Sequence, residues 1–170
     1  MSEQAEWGGA SAGEAGRGRD RPARTDSGVR ARVLHPGTGE GPVLVIEPVS
    51  FWGGVDEHGT ISDVHHPHCG TSISGTVLVL PASKGSSSGS SVLAELIMRG
   101  RAPAAIIVTE PDAIIVSGCL AAAEIGGAAI PVAEVAREDW PAVRTAARAE
   151  LAFASVEIGE YAQVDPAHLG

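Results

Sequence analysis

Lysine is almost absent from this sequence. Lys84 is the only one, and arginine carries nearly all of the positive charge. Twelve basic residues against 21 acidic ones leave a formal charge of −9, which argues against a nucleic-acid partner held by phosphate neutralisation. Cysteine is scarce too. Cys69 and Cys119 form no CxxC pair and no zinc spacing, and two thiols cannot by themselves hold a four-cysteine cluster. Aromatic residues make up 4% of the chain, so a core must be built from Val, Ile, Leu and Ala. No apolar stretch is long enough to cross a bilayer, and no basic segment followed by an apolar one opens the chain. A cytoplasmic protein without a membrane partner is expected.

What is present fits a single domain. The length of 170 residues and a hydrophobic content of 44% allow one real core. Residues 1–28 are rich in Gly, Ala, Ser, Glu and Arg and nearly lack large apolar side chains. Such a segment cannot bury enough surface to offset its ordering entropy, so a disordered tail is expected there and a folded domain over 29–165.

The folded part opens with strand-like runs at 30–34 and 43–46, separated by the turn His35-Pro36-Gly37. Residues 59–64 read as a further extended piece and 65–70 as a loop. Residues 76–80, TVLVL, are continuously apolar, as in a strand buried on both faces. Val92, Leu93, Leu96 and Ile97 then share one helical face, with Gly100 suited to the position beyond the helix end. A buried strand at 104–108 follows, then a short extended piece at 114–116. A short helix at 120–125 is closed by Gly126-Gly127. Strands at 129–132 and 151–158 and a polar tail complete the chain. The order is β-rich first, then strand, helix, strand, helix, strand. It predicts an α/β domain of three layers, β/β/α, with a central, partly parallel sheet.

Between the strand at 76–80 and the helix lies PASKGSSSGSS, residues 81–91. A glycine-serine tract is usually a linker. Here it must instead be a strand-to-helix turn. At such a turn glycines admit a ligand to the backbone, and the first helical N–H groups favour an anion. The serines can cap the helix, contact the anion or supply a reactive hydroxyl. The alternative is a capped helix behind a loop of no further role. The tract is neither a P-loop nor a nucleophile elbow. His65, His66, His68 and Cys69 have no matching second half, and read as an ordinary polar loop rather than a metal site. Asp56 reads as a turn former, Cys119 as a core residue and Trp52 as a packing residue.

Taken in order, these segments resemble a known family. They are Ser50-Phe51-Trp52-Gly53-Gly54-Val55-Asp56, His66-Pro67 with Gly70, GTVLVLP over 75–81, Lys84-Gly85-Ser86-Ser87-Ser88-Gly89-Ser90, Ala102-Pro103-Ala104 and Ile130-Pro131-Val132. The string resembles the small subunit, or swivelling domain, of the aconitase X proteins, over residues 30–156. The resemblance implies the swivelling three-layer β/β/α fold of the aconitase superfamily. It implies a hydro-lyase whose active site lies between this chain and a large subunit. That partner would hold the iron or iron–sulfur centre through its own cysteines, with no metal ligand on this chain.

In the wider superfamily a Gly-Ser-Ser-Arg stretch supplies a serine alkoxide as base. The matching stretch is Gly85-Ser86-Ser87-Ser88. The resemblance therefore implies Ser86 as the base, with Gly53, Gly54, His66, Ser87 and Ser88 binding the small-molecule substrate. Ser88 stands where the arginine would be, so a tricarboxylate would lose its ion pair and a different substrate is expected. The family offers two: cis-3-hydroxy-L-proline, dehydrated to Δ1-pyrroline-2-carboxylate, and mevalonate 5-phosphate. The first is preferred. A swivelling phosphotransfer module would need a carrier histidine at the helix start, and none lies between Pro81 and Arg99. A binding module without chemistry is the remaining alternative.

Overall fold

The computed structural model describes residues 28–153 and 159–165. The expected tail therefore lies outside the described residues up to position 27, as do residues 154–158 of the late strand. Within the described residues seven strands close into a barrel, and three helices and one distorted helical turn accompany them. In chain order these are β1 (Val29–His35), β2 (Thr38–Val45), the turn α1 (Phe51–Gly54), β3 (Val77–Val79), α2 (Gly89–Met98), β4 (Ala105–Val108), α3 (Ala113–Glu124), β5 (Val132–Val135), α4 (Trp140–Thr145), β6 (Arg148–Ala152) and β7 (Tyr161–Asp165). The strands follow the order β1-β5-β4-β3-β2-β6-β7, with β7 pairing back onto β1.

Half of the barrel is parallel and half antiparallel. Strands β2, β3, β4 and β5 run parallel, while β6, β7 and β1 join them by antiparallel pairing. The units β3-α2-β4 and β4-α3-β5 are successive crossovers, so both helices lie against the parallel half. The expected three layers are thus helices, parallel strands and antiparallel strands, with the two sheet layers continuous at their edges.

The unbroken apolar runs at β3 and β4 have their explanation in two cores. Alternate side chains of a strand leave on opposite faces. Val77 and Val79 of β3, and Ala105 and Ile107 of β4, point into the barrel with Ala133, Leu151 and Phe153. Leu78, Leu80, Ile106 and Val108 point the other way, onto Leu93, Leu96, Ile97, Ile115 and Cys119 of the helices. All of these are at most 5% exposed. Each such large apolar side chain contributes roughly 1.5–3 kcal/mol by leaving water.

Three expectations need correction. Residues 114–116 are not extended but form the first turn of α3. The Asp112 carboxylate accepts from the N–H of Ile114 at 2.9 Å and of Ile115 at 3.0 Å, and this cap outweighs the strand preference of the β-branched run. The strand expected at 129–132 lies at Val132–Val135, because Pro131 has no N–H and only its carbonyl enters the ladder, accepting from Ile106. Residues 59–64 make isolated bridges, Val55 to Ile61 and Thr60 to Ser72, rather than a strand. Neither α4 nor β7 was anticipated. No helix among the described residues is long and apolar enough to cross a membrane.

Helices α2 and α3 pack closely because Gly118 has no side chain. A Cβ there would lie 2.8 Å from the Ser90 carbonyl oxygen and 3.1 Å from Leu93 Cβ. Ala is the better helix former by about 1 kcal/mol, but the backbone clash opposes it. Gly118→Ala is expected to destabilise the protein by about 1–3 kcal/mol, measured by urea unfolding. The neighbouring Cys119 thiol is buried, and burial pushes it from 9.0 up to about 12. Cys69 is exposed. In the native protein only Cys69 is expected to react rapidly with a thiol reagent, and Cys119 only after denaturation. Between pH 9.0 and about 12 the unfolded chain releases the Cys119 proton while the native state keeps it, so stability is expected to fall as pH rises through that window.

Candidate functional site

The parallel strands β3, β4 and β5 all end at one edge of the sheet, the usual place for a ligand in such folds. The serine tract leaves β3 at this edge, and its entry is held by the next loop. The Pro81 carbonyl accepts from the N–H of Thr109 and of Glu110, both at 3.2 Å. The Ser83 N–H donates to Asp112 Oδ2. The Lys84 N–H donates to the Val49 carbonyl at 3.0 Å. Gly85 follows with φ +98°, and a Cβ there would sit 2.7 Å from Ser50 Oγ. Only glycine satisfies both the dihedral and the contact. The tract is therefore bound down on two sides and does not behave as a linker.

After Gly85 the chain turns outward. Ser86, Ser87 and Ser88 are all exposed. Tight i to i+3 bonds begin at once, from Gly89 N–H to the Ser86 carbonyl at 2.9 Å and from Ser90 N–H to the Ser87 carbonyl at 3.1 Å. Ser86 Oγ accepts the Ser88 N–H at 3.2 Å and lies 3.3 Å from Ser88 Oγ. Ser88, the residue before α2, makes no side-chain cap. The side chain that engages a backbone N–H at this helix start is thus Ser86, two residues earlier. An oxygen so placed meets a donor and the positive end of the helix dipole, and both favour negative charge.

The second wall is the turn at α1. Ser50 Oγ donates to the Trp52 carbonyl at 2.8 Å. Phe51 is buried in the helical core and Trp52 is 62% exposed, so the packing role expected of Trp52 belongs to its neighbour. The turn departs from helical angles at Trp52 and Gly53, and of its two aromatic side chains only Phe51 reaches the core. Gly53 has φ +78°, and a Cβ on it would meet nothing within 4 Å. Gly54 accepts from Ser62 N–H at 2.9 Å. A Cβ on Gly89 would lie 3.6 Å from Phe51 Cβ and 3.8 Å from Trp52 N, so this turn abuts the start of α2. The structure thus brings the turn that carries the glycine pair against the start of α2, although Phe51 and Gly89 are 38 positions apart in the chain.

His66 stands in a different environment. It is 5% exposed and both ring nitrogens are engaged. Nδ1 accepts the His68 N–H at 3.1 Å, so the proton is on Nε2, which donates to the Glu47 carbonyl at 3.0 Å. The ring braces the 63–70 loop against the segment after β2. That loop carries Asp63, whose carboxylate is 3.9 Å from Lys84 Nζ. The pair is long and its lysine half-exposed, so it contributes little to stability, and its lysine lies two positions before Ser86.

The donor set of the described residues does not fit an iron–sulfur centre. Among the described residues no three His, Cys, Asp or Glu side chains cluster as metal ligands. Cys119 is enclosed in the core and Cys69 lies on an exposed loop. Asp112 is the site residue that sequence reasoning passed over. The available signal was an aspartate directly before an apolar run, an N-cap signature, which the β-branched character of Ile114, Ile115 and Val116 obscured.

Residues 28–161 match the Aconitase X swivel domain family. The chain is 45% identical over 104 residues to a cis-3-hydroxy-L-proline dehydratase of Pseudomonas aeruginosa, covering 60% of this chain and 18% of that protein. It is 47% identical over 96 residues to the phosphomevalonate dehydratase small subunit of Methanothermobacter thermautotrophicus, covering 55% of this chain and 73% of the relative. The chain therefore spans less than a fifth of the hydroxyproline dehydratase but most of the archaeal small subunit. Among solved structures, the aconitase X of Thermococcus kodakaraensis in its holo-form superposes with a TM-score of 0.56 at 30% identity, over 81% of this chain and 92% of that one. With the barrel, the helix-bearing parallel half and the serine turn at its edge, these likenesses lead to one assignment: the chain belongs to the aconitase X swivel domain family.

Proposed function

We propose that this chain is the small subunit of a hydro-lyase that dehydrates cis-3-hydroxy-L-proline to Δ1-pyrroline-2-carboxylate, with Ser86 as the base and a large subunit as partner. The observation that carries the proposal is the exposed Ser86 Oγ at the sheet edge, already accepting the Ser88 N–H. Likeness to the Pseudomonas dehydratase supports the choice of substrate. In this reading the iron or iron–sulfur centre belongs to the large subunit and the complex is cytoplasmic.

The chemistry asked of this chain is proton abstraction next to a carboxylate. Ser86 as alkoxide takes the proton from the α-carbon, the hydroxyl on the adjacent carbon departs, and water is lost overall. The resulting enamine then tautomerises to the cyclic imine. A serine hydroxyl is a weak base at neutral pH and needs a setting that favours the anion. The Ser88 N–H and the start of α2 supply part of that setting. Docking of the partner over the exposed tract would remove water and strengthen both interactions. Ser87 and Ser88 offer hydroxyls to the substrate, and the open space at Gly53 leaves room for it against the Gly53-Gly54 backbone. His66 serves here by bracing the neighbouring loop, since its ring nitrogens are already engaged.

A second reading, the small subunit of mevalonate 5-phosphate dehydratase, draws on the 47% identity to the archaeal small subunit. It uses the same serine with a phosphorylated substrate. The two are separated by assembling the chain with its large subunit and assaying both compounds. Hydroxyproline turnover is expected, and turnover of mevalonate 5-phosphate alone would select the second. Ser86→Ala is expected to lower kcat roughly 10²- to 10⁴-fold, with a stability loss of about 1 kcal/mol at most, because the exposed side chain gives up only its bond to the Ser88 N–H. A variant complex that dehydrates at the normal rate would sink the assignment of the base.

A further inference from the structure

We propose that Asp112 is a positioning residue for Ser86, clamping the serine tract onto the first turn of α3. The inference rests on the proposed role of Ser86 and adds a residue outside the tract. Asp112 is 7% exposed, and both of its carboxylate oxygens are used. Oδ1 accepts the N–H groups of Ile114 and Ile115, which caps α3. A cap needs only that one oxygen, and serine, threonine or asparagine would serve as well. Oδ2 instead accepts the Ser83 N–H, from a residue 29 positions earlier. Hydrogen bonds to a charged acceptor are about twice as strong as neutral ones.

The Ser83 side chain does not share this task. Its hydroxyl is buried without a hydrogen-bond partner among the described residues. The main-chain N–H is therefore the point of attachment. The far end of the tract is set against the same turn of α3, because a Cβ on Gly89 would lie only 3.2 Å from Ile114 Cγ2. Entry at Ser83 and exit at Gly89 are both referenced to residues 112–114, and Ser86 lies midway between them. Losing the entry tie lets the intervening residues shift relative to α2, and a displacement of about 1 Å at a reacting group costs up to roughly a hundredfold in rate.

The test is Asp112→Ser in the chain assembled with its large subunit, with Asp112→Asn as a near-isosteric second variant should the first fail to fold. Serine keeps the α3 cap but cannot reach Ser83. Amide hydrogen exchange on the variant chain is expected to speed up over 83–88 while 113–124 stays protected. In the complex kcat is expected to fall roughly tenfold to a hundredfold, with KM within about twofold. On a Ser86→Ala background the same substitution is expected to cause no further loss, because a positioning residue acts through the group it positions. Ser83→Ala is expected to leave kcat unchanged. Unaltered exchange at 83–88, an unaltered kcat, or an additive loss on the Ser86→Ala background would each overturn the proposal. A silent Ser86→Ala removes the catalytic reading and with it the purpose of the clamp, while the exchange result still decides whether Asp112 holds the tract.

Discussion

Everything in this structure depends on burying both faces of β3 and β4. One face fills the barrel and the other meets α2 and α3. A strand buried on both sides has no polar face to present to water, so it must lie in the middle of a layered fold. The helices that cover it then follow as crossovers, and each returns the chain to the next parallel strand. The turns at the strand ends are what this arrangement leaves at the surface.

The chemistry follows from that geometry. The turn after β3 has to pass from a fully buried strand to the start of α2, and it does so through residues that tolerate close contact. Gly85 lies against Ser50, and Gly89 fits between Phe51 and Ile114. These contacts hold the backbone while three serine side chains remain exposed. A net acidic chain thereby presents, at one edge, an oxygen that faces an N–H at a helix start. Among the described residues no three His, Cys, Asp or Glu side chains gather at this edge.

Much of the fold was legible in the sequence, for a physical reason. Period and continuity of apolar residues report directly on burial, so β1, β3, α2 and β4 stood out. Errors fell where a local polar contact overrode intrinsic preference. Ile114, Ile115 and Val116 favour a strand, but the Asp112 cap makes them a helix. Pro131 sits in an apolar run, but it delays β5 until Val132. Trp52 has a side chain suited to a core, but the core position of this turn is taken by Phe51 and Trp52 is left exposed.

The sequence by itself determined the layered class, the turn of serines between a strand and a helix, and the family to which the motifs point. Those depend on the order and spacing of residue types along the chain. Tertiary structure alone decided that the turn at 51–54 lies beside the start of α2, that the ring of His66 is already occupied, and that Asp112 ties Ser83 to α3. Apart from the local His66–His68 bond, these contacts join residues 19 to 38 positions apart, and their geometry comes from how strands and helices stack, which no local pattern encodes.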